Sequence, residues 1–268
     1  MKLRVLVDNN TFTDHYFSGE PALSYYLEID DKKILFDAGY SDAFLNNAAL
    51  MNIDLSLISH LVISHGHNDH TNGLKHLAAD FNPGSIEFIA HPLCFQPKYD
   101  HNQYIGAPFS EKEISRRFQY RPSAQPLNIS DNCLFLGEIP SLNDFETRRA
   151  IGRTLIEGEE ADDLLSDDSA LVCTTAEGLF IITGCSHSGL CNIVEYARQI
   201  CRNNKIAGII GGFHLFETDA RLRRTIEYLT AVAAQRLYPG HCVSLKVKAE
   251  MMKHLNVGEV GVGLSLSL

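Results

Sequence analysis

The sequence predicts an α/β fold, an αββα sandwich of two mixed β-sheets packed together with helices outside. Two observations carry this. Each half of the chain runs through the same coarse order, strands first and then helix and strand in alternation. With 268 residues, 45% hydrophobic and 21% charged, the chain is long enough and apolar enough to bury a core as one domain spanning 1–268.

Taken in order, Leu3–Val7 reads as a strand, followed by Ala22–Ile29 and Lys33–Phe36 joined at the acidic turn Asp30-Asp31. Ser41–Met51 reads as a helix, with Ser41 in the N-cap position. Leu61–Ile63 is a short buried strand, Thr71–Phe81 a helix with Leu74, Leu77 and Ala78 on one face, and Ser85–Ala90 a strand. From about 92 to 151 the pattern loosens. Pro92, Pro97, Pro108, Pro122, Pro126 and Pro140 fall there, six of the nine prolines. That stretch is expected to be a partly ordered, lid-like insertion, with a helix near Glu111–Phe118 and a strand near Cys133–Leu136. Ala170–Thr175 and Gly178–Thr183 then form a hairpin. Helix Gly189–Cys201, strand Ile206–Ile210, helix Ala220–Ala234, strand Arg236–Tyr238, helix Leu245–Leu255 and strand Glu259–Val262 complete the chain.

Charge narrows the partners. Lys and Arg number 23 and Asp and Glu 33, a net charge of −10, which opposes binding to nucleic acid or to anionic membrane surfaces. No stretch approaches the roughly 20 apolar residues of a membrane span, and the apolar N-terminal run is too short for a signal peptide. The seven cysteines are odd in number and include no Cys-x-x-Cys pair, so a disulfide framework is not expected and a reducing cytoplasm is. Assembly as a homo-oligomer is compatible with this composition.

The unusual count is 12 histidines in a chain without tryptophan. Three of them and an aspartate fall in Ser64-His65-Gly66-His67-Asn68-Asp69-His70-Thr71, directly after an apolar strand. Imidazole and carboxylate suit zinc, iron or manganese. His65 and His67, two residues apart, can share one side of the chain, and the following turn can carry Asp69 and His70 to a neighbouring point. One or two divalent ions, zinc first, are therefore expected. Two ions close together can clamp a phosphate or carbonyl and activate water, with Asp69 as the candidate catalytic carboxylate that orients this water or takes its proton.

His-x-His-x-Asp-His after a hydrophobic strand resembles the signature of the metallo-β-lactamase fold. Ile34-Leu35-Phe36-Asp37-Ala38-Gly39 resembles that superfamily's early strand and turn, and Tyr238-Pro239-Gly240-His241 its late metal histidine. Val7-Asp8-Asn9, Ala90-His91-Pro92, Gly184-Cys185-Ser186-His187-Ser188-Gly189 and Gly211-Gly212-Phe213-His214-Leu215 extend the likeness. They resemble one subgroup, labelled dihydropterin–ribofuranosylaminobenzene-phosphate synthase, across nearly the whole chain. Two positions depart from the subgroup: Glu20-Pro21-Ala22-Leu23-Ser24 lacks a histidine, and Asn72 stands for a common glycine.

The resemblance implies a third histidine from a loop before the hairpin and a bridging aspartate after its second strand. Here the loop is Leu165-Ser166-Asp167-Asp168-Ser169 and the strand ends in Thr183-Gly184-Cys185-Ser186-His187. The expected ligands are therefore His65, His67, Asp69, His70, His187 and His241, with Asp168 or Cys185 as a further one. His91, His214 and Asn9 are rim candidates for substrate. His60 and His76 are expected to face elsewhere, and His15, His101 and His254 to lie on the surface. Lys98, Tyr99, Arg116, Arg117 and Arg121 form a relatively basic stretch that reads either as a clamp for phosphate or carboxylate or as a solvated face. The expected activity is that of a metal-dependent hydrolase or related transferase on a small, anionic, phosphorylated or pterin-like metabolite. The alternatives are a non-catalytic metal-containing binding or sensor protein, and a nucleic acid phosphodiesterase of the same fold, which the acidic charge opposes.

Overall fold

The computed structural model describes residues 1–77, 83–156 and 158–268. The first half contains β1 (Lys2–Val7), β2 (Ser24–Ile29), β3 (Lys32–Phe36), α1 (Ala43–Leu50), β4 (His60–Val62), the single turn α2 (Asn68–Thr71) and β5 (Glu87–Ala90). The middle contains β6 (Lys98–Asp100), β7 (Gln103–Tyr104), α3 (Glu111–Arg117), β8 (Gln119–Pro122), β9 (Leu127–Ser130), β10 (Cys133–Phe135), β11 (Arg153–Ile156) and β12 (Glu159–Asp162). The second half contains β13 (Ala170–Thr175), β14 (Gly178–Thr183), α4 (Leu190–Cys201), β15 (Ile206–Gly212), α5 (Ala220–Ala231), β16 (Leu237–Gly240), α6 (Leu245–Met251) and β17 (Ser265–Ser267).

One sheet runs β17-β1-β2-β3-β4-β5-β8 and the other β16-β15-β14-β13-β10-β9. Both are mixed. In the first, β1, β2 and β3 are antiparallel and β3, β4, β5 and β8 parallel; in the second, β13 and β14 are antiparallel and β14, β15 and β16 parallel.

Period-two alternation separates the layers. Tyr25, Leu27, Ile34, Phe36, Val62 and Ile89 point inward to meet Phe135, Leu171, Phe180, Ile182 and Ile210 of the facing sheet. Their neighbours Tyr26, Leu35, Leu61 and Phe88 point outward, under α1 and α3 (Phe44, Ile114). On the far side Leu179, Ile181 and Ile209 pack against α4, α5 and α6 through Ile193, Leu222 and Val247. A bulge between Val5 and Val7 shifts the alternation of β1, so that Leu6 and Val7 both join the outer cluster. The order is helix, sheet, sheet, helix, as the sequence predicts.

Several boundaries move. The helix expected over Thr71–Phe81 is one α-turn to Thr71 and a 3-10 stretch over Asn72–His76; Ala78–Phe81 lie outside the described residues. The strand expected at Glu259–Val262 reduces to a bridge between Thr11 and Val262, and the pairing edge strand is β17, three residues further on. The stretch 92–151 is built into the core architecture. It contributes β8 to the first sheet and β9–β10 to the second, and α3 is closed by a capping box between Ser110 and Glu113. Only β6 and β7 stand apart, in a small sheet with β11 and β12 that extends beyond residue 151.

The parallel strands β3, β4 and β5 and their counterparts β14, β15 and β16 all point their carboxyl ends at one rim. The loops leaving them carry Asp37, His65–His70, His91, Cys185–His187, His214 and His241. Four non-glycine residues there have left-handed backbone: Asp37, Ser186, His214 and His241 have φ of 57°, 58°, 48° and 45°. Such conformations are costly and gather where a side chain must be aimed at a site.

Candidate metal centre

The site begins with Asp37. Its Oδ1 accepts from the Ser64 backbone N at 2.7 Å, and its Oδ2 from Ser64 Oγ at 2.7 Å. The same Oδ2 lies 2.7 Å from His70 Nδ1, which leaves His70 Nε2 to face inward, 3.3 Å from Cys185 Sγ and 3.6 Å from Asp69 Oδ2. One buried carboxylate thus sets both ends of the His-x-His-x-Asp-His segment. Between those ends, Gly66 N donates to Asp167 Oδ2 at 2.7 Å, and Asp167 Oδ1 takes a bond from the buried Lys98 ammonium at 3.0 Å. A Cβ on Gly66 would lie 1.9 Å from the Cys94 carbonyl oxygen, so this turn admits only glycine.

Two overlapping groups of ligand atoms result. Asp69, His70, Cys185 and His241 form one; His65, Cys185 and His187 form the other, and within each group the donor atoms lie within 4.8 Å of one another. His67 belongs with the second: its Nδ1 is 3.1 Å from His65 Nε2, and its ring centroid is 5.1 Å from that of His187. His67 Nε2 and His187 Nε2 are buried without a hydrogen-bond partner among the described residues. Buried polar atoms are normally paired, so these orphaned nitrogens beside a thiol fit a cation with affinity for N and S donors. His241 is aimed from outside. Its backbone N donates to the buried Asp8 Oδ2 at 2.8 Å and its Nδ1 meets Asn9 Oδ1 at 2.9 Å, which turns Nε2 to within 3.2 Å of Asp69 Oδ2.

Electrostatics match. Burial, reinforced by the neighbouring imidazoles, pushes His65 and His187 well below the usual imidazole range; burial also lowers His67, against the pull of Asp69 and Asp167. These three rings are neutral at pH 7, the form that binds a metal. Burial opposes ionisation of Asp69, yet the charges of His70 and His241 outweigh it and hold the carboxyl well below the carboxylate range. Burial likewise opposes a charge on His70, but Asp69 and Asp37 raise it. Burial drives the Cys185 thiol far up, so without a cation this sulfur keeps its proton.

Of the remaining expected residues, Asp168 falls in neither group. Its Oδ2 accepts from the Ser188 backbone N at 2.9 Å and from Ser188 Oγ, and its buried Oδ1 has no hydrogen-bond partner among the described residues. Burial raises its carboxyl above the usual range, the bonds from Ser188 partly offsetting this. His91 takes a bond from Leu93 N at 3.2 Å, acting as the cap of a 3-10 turn. Asn9 touches the site through His241. His214 stands on the rim, its ring tilted against that of His187 at 4.5 Å and edge-on to Phe216 at 4.9 Å, and lines three hollows, one of which is also lined by His67, Asp69, Gln103, Ile105 and Ile151. The small sheet therefore walls the cleft over Asp69, and Asn68 N ties to it by a 2.8 Å bond to Ile105 O.

The expected basic clamp does not face this cleft. Lys98 is consumed by Asp163 and Asp167, Arg121 pairs with Glu87, and Arg117 covers Phe109 at 4.2 Å. His60, expected to face elsewhere, is buried beside Ser59 and Glu87, away from the centre. Asp8, Asp37 and Asp167 support the site and are absent from the candidates read in the sequence. Asp8 and Asp37 each follow an apolar strand directly, a buried-acid signal that was available there.

Fold and donor set together describe a two-sheet scaffold with candidate metal ligands at the strand ends. The model of the metallo-beta-lactamase superfamily matches residues 18–127, and the chain belongs to that superfamily. It is 31% identical over 264 residues to an uncharacterized protein of Methanocaldococcus jannaschii, covering 97% of this chain and 98% of the relative. A second protein of that organism is named 7,8-dihydropterin-6-methyl-4-(beta-D-ribofuranosyl)-aminobenzene-5'-phosphate synthase. It is 30% identical over 268 residues, covering 94% of this chain and 91% of the relative. Among solved structures, Tm1679, a metal-dependent hydrolase of the beta-lactamase superfamily, superposes with a TM-score of 0.84 at 28% identity over 100% of this chain and 99% of its own. Proteins of this family bind divalent metals. No described helix is long and apolar enough to cross a membrane.

Proposed function

We propose that the chain is a metal-dependent hydrolase, or a related transferase, acting on a small anionic metabolite of phosphorylated or pterin-like character. The observation that carries this is the pair of ligand groups sharing Cys185 at the floor of an open cleft. In this reading His65, His67, His187 and Cys185 hold one divalent ion, and Asp69, His70, His241 and Cys185 hold a second. Zinc suits the N and S donors best, with iron and manganese as the other candidates. Ions so held supply Lewis-acid polarisation and water acidified towards neutral pH.

The chain's own groups supply the rest. Asp69 is ionised, partly exposed to the cleft and 3.2 Å from His241 Nε2, so it is placed to orient water and to accept its proton. His214, held neutral with its pKa lowered to about 4 first by burial and then by Arg221, is a hydrogen-bonding wall for the substrate. The name of the second relative supports a phosphorylated pterin-type substrate, and the net charge of −10 supports a small molecule over a nucleic acid, in a cytoplasmic setting.

The test is elemental analysis of protein purified without added metal, together with turnover of p-nitrophenyl phosphate esters. About one to two ions per chain are expected, as two-metal chemistry needs, with turnover lost in Asp69→Ala protein that stays folded. Folded, metal-free wild-type protein overturns the reading. Metal without turnover across a broad metabolite panel leaves a binding or sensor protein.

A further inference from the structure

Beside the metal centre lies a cavity of about 230 Å³, between the segment around residue 149 and the start of α5. One side is His187 and His214; another is apolar, with Leu215 and Phe216. Two guanidinium groups also line it, Arg149 and Arg221, as do two carboxylates, Glu217 and Asp219. The carboxylates are already engaged. Glu217 pairs with Lys246, and Asp219 caps α5, accepting from Leu222 N at 3.0 Å. The guanidinium groups are not: among the described residues neither makes a hydrogen bond or an ion pair, and Arg221 Nε is buried with no partner. The adjacent Arg148 shows the contrast, since its guanidinium is spent on the carbonyls of Ile139 and Leu165.

A buried guanidinium nitrogen left unpaired is costly, so its retention at the mouth of a cleft points to a partner that arrives from solution. We infer that Arg149 and Arg221 form an anion subsite, seating a phosphoryl group at one end of an aromatic or apolar body. That body lies along Phe216 and His214, and its other end reaches the metal centre. Two planar guanidinium forks, neither of them in an ion pair, match a tetrahedral dianion, which each can engage by paired N–H···O bonds. The subsite rests on the proposed metal-dependent function for its purpose, but its ligand chemistry is read from these two arginines alone.

The experiment is calorimetric titration of phenylphosphonate, which has no ester bond to hydrolyse, into wild-type, Arg149→Gln, Arg221→Gln and, as a control on the outer face of the same helix, Arg223→Gln protein. Each titration is run on metal-loaded and on chelator-treated protein, with melting temperature and metal content recorded. Loss of a charge-assisted contact is expected to weaken binding about tenfold or more in each of the first two variants, in both metal states. The control binds like wild type, and metal content is unchanged in all four. Wild-type protein that binds no phenylphosphonate, or Arg149→Gln and Arg221→Gln proteins that bind it as wild type does, would overturn the subsite. Chelator-treated protein still reads the arginines if the chain holds no metal, so failure of the metal reading and failure of the subsite are separate results.

Discussion

Replacing Lys98 by Met separates the structure's account of this residue from its expected place in a phosphate clamp. The ammonium lies 3.0 Å from Asp163 Oδ2 and 3.0 Å from Asp167 Oδ1, and all three side chains are at most 5% exposed. Methionine keeps most of the volume but leaves two buried carboxylates facing each other with no counter-charge. Removing one partner of a buried ion pair costs roughly 3–5 kcal/mol. At about 2–4 °C per kcal/mol for a chain of this size, the melting temperature should fall by roughly 6–20 °C.

The sign of the pH dependence follows. Burial lowers the pKa of Lys98 but the two aspartates raise it more, so the folded value stands above the unfolded one. The stabilisation is then fully present below about pH 10.4, the unfolded value, and is lost only as pH rises through the folded pKa. The gap in unfolding free energy between wild type and Lys98→Met should thus be flat from neutral to mildly alkaline pH and narrow only in strong alkali. Because Asp167 also holds Gly66 N, the variant should also bind metal more weakly. Thermal melts across pH with metal analysis on the same samples are the assay. A melting temperature within about 2 °C of wild type, at most about 1 kcal/mol on that scale, would refute the reasoning, and if substrate affinity alone changed the clamp reading would be restored.

The other predictions concern the ligand shell. Asn9→Ala removes the group that orients His241 and should weaken metal binding about 10–100-fold, measured by competition with a chromophoric chelator; unchanged affinity would remove Asn9 from the site. Cys185→Ala should lower metal occupancy in both ligand groups, whereas Cys185→Asp, which keeps an anionic donor, should retain metal; retention by Cys185→Ala would show that the sulfur is not shared. Gly66→Ala places a methyl 1.9 Å from the Cys94 carbonyl oxygen and should cost about 1–3 kcal/mol, as overpacking does, together with bound metal. Metal-free protein should lose stability as pH falls below about 6.5, because the folded pKa values of His65 and His187 lie below that unfolded value and protons bind the unfolded chain first. Melts of chelated protein from pH 8 to 5 that show no decline would contradict this.

The fold was legible because each half of the chain repeats the order of strands first and then helix and strand in alternation, and because stretches such as Tyr25–Leu27 and Phe180–Ile182 are apolar at every position, as strands covered on both faces are. The ends of elements were less legible. The helix expected from Thr71 stops early as an α-helix because Gly73 packs against the Ala38 carbonyl, which leaves the 3-10 stretch over Asn72–His76. In the stretch 92–151, proline density reads as looseness, yet Pro122 ends the edge strand β8, where a missing N–H costs nothing. The metal motif was legible since its donors are contiguous. Of the supporting acids, Asp8 and Asp37 carried one signal, their place directly after an apolar strand, whereas Asp167 carried none, because it acts through the Gly66 N–H and the Lys98 ammonium, contacts without sequence periodicity.

The division of labour between the halves of the chain explains why Cys185 matters more than its isolated position suggests. The first half contributes His65, His67, Asp69 and His70, from one loop and the single turn α2 that follows it, oriented by Asp37, Asp167 and local bonds. The second contributes Cys185, His187 and His241 from the ends of two strands. Among the described residues only Cys185 belongs to both ligand groups, so it is the one second-half side chain that could serve both from a single position. Burial keeps its thiol protonated until a cation arrives, whereas a bridging aspartate would be charged already. A cation held by this sulfur would displace a proton that an aspartate would not, so if Cys185 is a ligand, metal occupancy should depend on pH more steeply than in a protein with an aspartate at that place, as titration of bound metal against pH checks.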